Sequence, residues 1–451
     1  MLRHTLIILV LSVIPMVSNS QDKIWGMQDC IVYALEHNIS VKQTQLNSEI
    51  EKINLDESKF SQLPSLNASA SHSYNFGRNV DPTTNRFVEQ EIRSGNMSVN
   101  GNMTIFNGFS IRNQIKQNEL DYLAGIENIE RRKNDLMLNV AAAYLQVVYA
   151  KEAVILAEKR LSSAKESRDR TKKMVDAGSI AMGSFYDEES AVATEELNMV
   201  QAENNLSTAI IDLTQLMDID YNPNFPVESP KVDLPDQSAV ALRTDEIYNV
   251  AMETLPVVRF SDYKVQSAEL NLSRIKGFRY PRLSVFGSLS SGYSSLAQTI
   301  TSISPLEFEK TSFGDQLDNN YNERFGFSLS VPIFNGRSTE SNIQRSKISL
   351  ENARYDQELT HDQLYKDVIL AHTQANSAQK RYSAAERSSV AMNESFKYAK
   401  KRYELGALSS IEFLKARDNL DFAESEFLQS KYELIFRIKA LDFYLGRPLT
   451  F

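Results

Sequence analysis

The chain has 451 residues, 42% of them hydrophobic, and a formal net charge of -9 at pH 7. An acidic chain is not expected to bind nucleic acid, whose phosphates attract basic surfaces. The single cysteine, Cys30, has no partner for an intrachain disulfide, so disulfide chemistry is not expected either.

The N-terminus has the three parts of a secretory signal peptide. Arg3 supplies a positive charge, an apolar stretch covers residues 5–17, and small polar residues precede Gln21. A membrane anchor is the alternative, but the apolar stretch is shorter than the roughly 18 residues of a spanning helix. The sequence therefore predicts a signal peptide over residues 1–20. Its removal would change the net charge from -9 to -10, because residues 1–20 hold one arginine and no acidic residue.

The tetrapeptide Ile-Phe-Asn-Gly occurs twice, ending at Gly108 and at Gly336, so the offset is 336 - 108 = 228 residues. This offset keeps pairing similar residues downstream without a gap, for example Gly178 with Gly406, Phe185 with Phe413 and Leu213 with Leu441. Upstream the offset is 217, as residues 64–66 and 281–283 show. The pattern predicts an internal duplication with an insertion of 228 - 217 = 11 residues in the second copy.

The duplication predicts a first structural repeat over residues 21–219 and a second over residues 244–446. A proline-rich linker over residues 220–243 separates them, and residues 447–451 form a C-terminal tail. Each repeat is predicted to open with two short helices, at residues 27–36 and 41–60 and at residues 244–253 and 257–275.

Each repeat then contains two segments in which apolar and polar residues alternate, which is typical of β-strands with two unlike faces. The predicted strands lie at about residues 64–76, 94–106, 281–293 and 323–334. A soluble sandwich would show the same alternation. However, strands of about 10 to 13 residues match a tilted bilayer crossing, and polar faces of mostly Ser and Asn suit a wet lumen. The connections over residues 77–93 and 294–322 are predicted to be long polar loops.

Long helical segments follow each Ile-Phe-Asn-Gly. Residues 110–177 and 338–405 contain no proline and a single glycine, Gly125, which predicts helices of about 100 Å. Glycines then interrupt the pattern, so residues 108–217 and 336–445 are predicted to form two long helical hairpins. For the helices taken alone, an ordinary coiled coil attached to other domains is an equal alternative.

Four strands cannot close a barrel, because the smallest pores need about eight. An open sheet edge in lipid leaves backbone groups unpaired, at a cost of several kcal/mol each. The chain is therefore expected to oligomerise. Two, three or four copies would give about eight, twelve or sixteen strands, and strand counting does not choose among them.

Three stretches and the duplication together resemble the TolC-type outer-membrane efflux channels: residues 28–66, the strand ending VPIFNGRS and the segment KRYELGALSSIEFLKARDNL. The resemblance implies an α+β membrane protein. It would be a homotrimer whose β-barrel, with four strands per chain, is continuous with a long α-helical barrel through the periplasm. The linker and the tail would form an equatorial belt around that tunnel.

The resemblance also implies a function, namely the outer-membrane exit duct of a tripartite efflux or type I secretion system, which conducts substrates passively to the exterior. Its partners would be outer-membrane lipid, a periplasmic adaptor (membrane fusion protein) and an inner-membrane RND or ABC transporter. The sequence identifies neither the substrate nor the pump. The alternative is a periplasmic coiled-coil adaptor or scaffold, which would need the helices but not four lipid-compatible strands.

By the same resemblance, Gly178 and Gly406 mark the periplasmic tips that dock the adaptor. The gate candidates are Glu412, Tyr403, Lys415 and Ser184. Glu412 lies six residues beyond Gly406, where the family places acidic rings, but Ser184 and Lys415 depart from that acidic pattern. A solvated Glu412 paired with Lys415 at i+3 is the alternative.

The junction between barrel and tunnel is assigned to Phe106, Asn107, Gly108, Phe334, Asn335 and Gly336. The expectation is that Ile105 and Ile333 are the last lipid-facing positions and that Phe106 and Phe334 anchor at the inner interface. Asn-Gly would supply the turn, with Ser110 or Ser338 as helix N-cap.

The sequence contains no catalytic or metal-binding motif. The five histidines form no ligand pair, and there is no phosphate loop, nucleophile elbow or Cys-His pairing. No enzyme activity, cofactor or metal site is therefore expected.

Overall fold

The computed structural model describes residues 24–80, 85–228, 236–303 and 306–447. The predicted signal peptide, residues 229–235 of the linker and residues 448–451 of the tail lie outside this part. The chain divides into two compact units. We call them the helical unit (Met1–Ile39, Lys133–Val250 and Val368–Phe451) and the sheet unit (Ser40–Arg132 and Ala251–Asp367).

The described residues form nine α-helices and eight β-strands. The helices are α1 Met27–His37, α2 Ile39–Phe60, α3 Ser110–Asp176, α4 Met182–Met217, α5 Thr244–Thr254, α6 Pro256–Lys276, α7 Phe313–Asn319, α8 Ser338–Glu404 and α9 Ser410–Tyr444. The strands are β1 Ser65–Asn75, β2 Arg78–Val80, β3 Phe87–Glu89, β4 Ile92–Asn107, β5 Arg282–Ser294, β6 Gln298–Ile303, β7 Leu306–Lys310 and β8 Asn322–Ser330.

The main sheet of the sheet unit is antiparallel, with the strand order β1-β4-β5-β8. Two connections that the sequence predicts to be loops contain structure of their own. β2 pairs with β3 between β1 and β4, and β6 pairs with β7, followed by α7, between β5 and β8. The added hairpins extend the connections at one end of the sheet.

The pairing register gives the sheet two unlike faces. Apolar residues lie opposite each other across all three strand pairs, as in Ala68↔Val99, Val99↔Leu289 and Val285↔Phe327. On the other face serine hydroxyls meet across β1 and β4, with Oγ–Oγ distances of 2.9 Å for both Ser69–Ser98 and Ser73–Ser94. Because side chains alternate with period 2, this register keeps the faces separate along every strand.

The apolar face and both edges of this sheet are open. β1 and β8 each have one strand neighbour in the described chain. Leu66 on β1 is 75% exposed and Phe325 on β8 is 73% exposed. In water such edges and faces drive aggregation, so this sheet requires both an apolar solvent and further strands.

The first Ile-Phe-Asn-Gly contains a β-bulge. The β4–β5 pairing shifts between Thr104 and Phe106, which leaves Ile105 unpaired and places Phe106 opposite Leu283 on the apolar face. A bulge adds one residue and turns the following side chain. The expectation that Ile105 is the last apolar-face position is therefore wrong, because Phe106 holds that place.

The second Ile-Phe-Asn-Gly lies beyond the end of its strand. β8 ends at Ser330, opposite the first residue of β5, Arg282, whereas the sequence predicts a strand to about residue 334. Beyond this point β5 offers no further partner, and Pro332 has no N–H to donate to a ladder. Ile333 and Phe334 are consequently almost fully exposed.

Helix α3 lies between α2 and α6 within the sheet unit. The contacts are Asn118 Nδ2 to Asn54 O (2.9 Å) on the α2 side, and Lys264 Nζ to Asp121 (3.1 Å) and Arg259 to Glu127 (2.9 Å) on the α6 side. Helix α8 contacts α6 through Asn271 Nδ2 and Ser346 Oγ, 3.4 Å apart. Polar groups therefore make these contacts between the helices of this unit.

The described linker residues pack within the helical unit. Trp25 and Val227 form a parallel bridge, and the ring of Phe225 stacks on Trp25 at 5.7 Å. The Tyr144 hydroxyl on α3 donates to Glu228 O at 2.9 Å. A core cluster of Ala378, Leu434 and Ile438, with Val240 and Tyr382 packed against it, joins α8, α9 and the linker.

One described helix, α3, passes the length and composition test for a membrane span. The most apolar window of that helix is 44% buried. The core helix of a soluble protein passes the same test, so the result does not by itself assign a span to α3.

Candidate functional site

The two hairpin tips have the same turn. Gly178 has φ +70°, its N–H donates to Val175 O at 2.8 Å, and the N–H of Ser179 donates to Met174 O at 2.9 Å. The second tip repeats this geometry at Gly406, which also has φ +70°. This is a helix C-cap in the left-handed region, where a Cβ is strained.

Glu412 lies in the first turn of α9 and is exposed. Its carboxylate accepts hydrogen bonds from the Ser409 N–H (3.1 Å) and hydroxyl (2.9 Å), and these bonds hold the pKa of Glu412 below its ordinary value. The pair is a capping box. No ion pair joins Glu412 to Lys415 in the described chain, so the carboxylate binds the helix start instead.

The two residues that depart from the family's acidic pattern, Ser184 and Lys415, take no part in this capping box. Ser184 is half-buried near the start of α4, and Lys415 is exposed on α9. The structure shows no bond between either residue and Glu412. Among the described residues, the gate candidates are therefore not joined to one another by a hydrogen bond or an ion pair.

Tyr403 is buried and makes a contact between hairpins. Its hydroxyl lies 3.1 Å from Thr171 Oγ1 on α3, and its ring stacks on Phe413 at 4.5 Å with an interplanar angle of 10°. Beside it, Arg170 forms an ion pair with Glu404. The end of α8 is thus attached to the end of α3, next to the tip turns.

Two ion pairs connect the hairpins further along, one buried and one half-buried, and we call their four residues the buried charge cluster. Glu188 on α4, fully buried, lies 3.4 Å from Arg417 on α9. Arg160 on α3 lies 3.0 Å from Asp421 on α9. Each pair joins the first hairpin to the second within the helical unit.

Burial raises the pKa of both acidic members. Burial raises the pKa of Glu188, with Arg417 and the Ser167 hydroxyl opposing the effect. Burial likewise raises the pKa of Asp421 to about 6, and Arg160 opposes this rise. Sequence reasoning missed these residues and Thr171, because ordinary charged and hydroxyl residues of a polar helix carry no signal of which ones are buried.

The predicted junction residues lie in the sheet unit. Gly108 and Phe109 both have left-handed φ angles, of 65° and 62°. A Cβ on Gly108 would lie 2.2 Å from the Gly277 carbonyl oxygen, which explains the glycine. Asn107 Oδ1 accepts from the Ile111 N–H at 3.3 Å, so Asn107 rather than the expected Ser110 caps α3.

The second junction is similar in backbone and different in surroundings. Gly336 and Arg337 have φ angles of 61° and 64°, and Asn335 Nδ2 donates to Thr339 Oγ1 at 2.6 Å. Here nothing lies within 4 Å of a Cβ on Gly336. The junction is therefore closely packed in the first repeat and open in the second repeat.

An amphipathic sheet with open edges, together with two long helical hairpins, defines the class of TolC-like outer-membrane channels. The outer membrane efflux protein BepC of Brucella suis is 20% identical over 417 residues, covering 92% of this chain and 84% of that protein. The cation efflux system protein CusC of Escherichia coli O157:H7 is 21% identical over 407 residues, which cover 88% of this chain and 81% of that protein. The crystal structure of the Campylobacter jejuni CmeC outer membrane channel matches with a TM-score of 0.79 at 19% identity. The match covers 93% of this chain and 85% of the CmeC chain.

The family model described as outer membrane efflux protein matches residues 30–218 and 262–447. The chain therefore belongs to the outer membrane efflux protein family. This confirms the predicted resemblance, the outer-membrane location and the efflux function. It also rules out the periplasmic adaptor or scaffold that the helices alone would allow.

The raised pKa of Asp421 predicts a pH dependence of stability. A carboxyl group whose pKa is raised by folding binds its proton more tightly in the folded state. The contribution of Asp421 to the stability of the fold is therefore complete below about pH 4 and is lost as the pH rises through about 6. Besides Arg160, the groups facing Asp421 are Glu195, Arg417 and Glu424.

We expect Asp421→Asn to flatten the rise in melting temperature that the wild type shows on acidification from pH 7 to pH 5. Circular dichroism melts of the detergent-solubilised protein measure this. Asp418→Asn, at an exposed position of the same helix, is the control and should keep the wild-type slope. Equal slopes in wild type and Asp421→Asn would show that burial does not hold a proton on Asp421.

Proposed function

We propose that three copies of this chain close a twelve-stranded barrel and a helical tunnel, which serve as the exit duct of a tripartite efflux or type I secretion system. The observation that carries the proposal is the exposed apolar face of a sheet with two unpaired edges. The polar face of Ser and Asn would line the lumen, and the apolar face would contact outer-membrane lipid.

The internal duplication is part of the proposal, and the register supports it. Leu66 of β1 pairs with Gly101 of β4. Adding 217 to the first number and 228 to the second gives 283 and 329, and Leu283 of β5 does pair with Leu329 of β8. The same offsets move the helix contact between Asn54 and Asn118 to positions 271 and 346, and Asn271 does contact Ser346. Left-handed residues also recur at the offset of 228: 108 with 336, 109 with 337, 178 with 406 and 218 with 446.

The hairpin tips are the proposed docking surface for a periplasmic adaptor, which would connect the duct to an inner-membrane RND or ABC transporter. Leu405, beside the second tip glycine, is 83% exposed, and a Cβ on Gly406 would meet nothing within 4 Å. The tip is therefore free to accept a partner. The transported substrate is not assigned.

We expect Gly406→Trp to abolish dye efflux by cells that carry this protein as their TolC-type channel. Gly406→Asn is the matched control, because asparagine tolerates the left-handed conformation and adds little bulk. Loss with Trp and retention with Asn would support docking at the tip. Full efflux with Gly406→Trp in an intact trimer would refute it.

The Tyr403–Thr171 contact and the buried charge cluster are proposed to hold the tunnel closed. Tyr403→Phe removes the hydroxyl bonded to Thr171 and keeps the ring on Phe413. A hydrogen bond of about 1 kcal/mol corresponds to a roughly fivefold change in the open population. We expect single-channel recordings in planar bilayers to show more frequent opening of the variant.

The control for this experiment is Tyr398→Phe, at an exposed position of the same helix, which should behave as the wild type. An unchanged open probability in Tyr403→Phe would show that the contact does not close the tunnel. If the wild type forms no channel at all, the proposed function itself is wrong.

Glu412 is proposed to form a ring of carboxylates, one from each copy, that attracts cations. Glu412→Gln removes the charge and keeps the capping box, because glutamine serves at N3 as well. We expect the reversal potential in a salt gradient to move toward zero. A reversal potential equal to that of the wild type would show that Glu412 is ordinary surface charge.

A further inference from the structure

The polar face of the main sheet carries two arginines without an acidic partner. Arg282 is the first residue of β5, Arg324 lies near the start of β8, and both side chains are exposed. Neither guanidinium forms an ion pair with another residue that the structure describes. The four strands of the main sheet place no carboxylate on this face. In a chain with a net charge of -9, this face is therefore a local positive surface.

A contact and the strand pairing assign both arginines to this face. Arg282 Nη2 donates to Thr104 Oγ1 at 3.1 Å, and Thr104 belongs to the polar face of β4. Arg324 of β8 and Asn100 of β4 both lie opposite Ser288 of β5. Residues that lie directly opposite each other in antiparallel strands point to the same side of the sheet. Arg324 therefore shares the face of the serines and asparagines.

The other charged residues nearby lie on the opposite face and have partners there. Glu323, the neighbour of Arg324 in sequence, accepts a hydrogen bond from the Tyr321 hydroxyl at 2.6 Å. Arg93 of β4 forms an ion pair with Glu91 at 2.8 Å. The uncompensated guanidinium groups of the main sheet are thus those of the polar face.

An aromatic ring lies between the two arginines. Phe286 of β5 is half-buried and lies opposite Gly326 of β8. A Cβ on Gly326 would lie 2.9 Å from Phe286 Cζ, so the ring leans over β8 at this glycine. Arg324 is two residues from Gly326, about 7 Å along the strand, and Arg282 is four residues from Phe286, about 13 Å. We call Arg282, Phe286 and Arg324 the arginine wall.

The first repeat indicates that the sheet does not need these three side chains. Their equivalents at the offsets of 217 and 228 are, in the same order, Ser65, Ser69 and Asn96. The pair Ser69↔Ser98 stands where Phe286↔Gly326 stands in the second repeat, and its two hydroxyls are 2.9 Å apart. Small neutral side chains therefore support the same pairing, and strand pairing does not explain the positive charges and the ring.

We propose that the arginine wall binds aromatic organic anions, such as aromatic carboxylates and sulfonates. The inference rests on the proposed channel, in which the polar face lines the lumen, and it adds the class of solute that this lumen favours. The guanidinium groups bind the anionic groups through charge-assisted hydrogen bonds. The exposed part of the Phe286 ring stacks on the aromatic part of the solute.

The spacing of the wall suits passage as well as binding. Arg282 lies opposite Ser330, and Arg324 is six residues before Ser330 on β8, so the two arginines are roughly 20 Å apart along the strands. A small anion therefore contacts one arginine at a time and finds the Phe286 ring between them. Conduction requires several sites of this kind, each weak enough to release the solute.

Binding of pyrene tetrasulfonate, an aromatic ion with four negative charges, tests the wall directly. Fluorescence anisotropy of this dye measures its Kd for the full-length protein in a non-ionic detergent. We expect Arg282→Gln and Arg324→Gln each to raise the Kd about fivefold, the effect of one charge at about 4 Å in water. Arg324→Lys keeps the charge and should restore most of the affinity.

The matched control is Arg93→Gln, which removes an exposed arginine from the opposite face of the same sheet. The Kd of this variant should equal that of the wild type. Competition with butane tetracarboxylate, which has no ring, tests the role of Phe286. In Phe286→Leu the dye should bind about threefold more weakly, because a stacked aromatic pair is lost, whereas the Kd of butane tetracarboxylate should not change.

Conductance in planar bilayers separates this inference from the proposed function. Protein that conducts, and whose current the dye blocks less strongly in Arg282→Gln and Arg324→Gln than in Arg93→Gln, supports both. Protein that conducts but binds the dye equally well in all three variants overturns the arginine wall and leaves the channel standing. Arginine-dependent binding in protein that forms no channel keeps the wall and overturns the channel. Protein that neither conducts nor binds the dye overturns both.

Discussion

This structure depends on one constraint. Backbone N–H and C=O groups at the edge of a sheet need hydrogen-bond partners. In hydrocarbon an unpaired group costs several kcal/mol, so an open sheet is not a stable membrane structure. The four-stranded sheet of this chain has an apolar outer face that requires lipid and two edges that lipid cannot satisfy. Lipid would cover the apolar face and further strands would pair with the edges, which fits the outer-membrane channels of the family to which the chain belongs.

The helical unit meets a different requirement. The second hairpin is held together partly by an apolar cluster around Leu434 and Ile438. It is joined to the first hairpin partly by buried ion pairs such as Glu188 with Arg417. Burying a charge pair costs nearly as much free energy as the attraction returns, so such contacts add little net stability. We therefore expect contacts of this kind to separate at a smaller cost than the apolar cluster. This difference would suit the proposed duct, which opens near the tips.

Much of this fold can be predicted from sequence, because its main elements are long and strongly patterned. The alternation around Ala68 and Val285 defines the faces of the sheet, and the glycines at 178 and 406 mark where the helices turn. The bulge at Ile105 and the end of β8 at Ser330 are not predictable in this way, since both depend on which partner strand is present. The buried charges are equally hidden, because Asp421 differs from an exposed aspartate only in its neighbours.

The most direct test of the account is the mass of the detergent-solubilised protein measured by native mass spectrometry. The account predicts three chain masses in one particle, which persists at low protein concentration because pairing between strand edges holds it together. A stable particle of one chain mass whose four strands remain folded, shown by circular dichroism of the same sample, would contradict it.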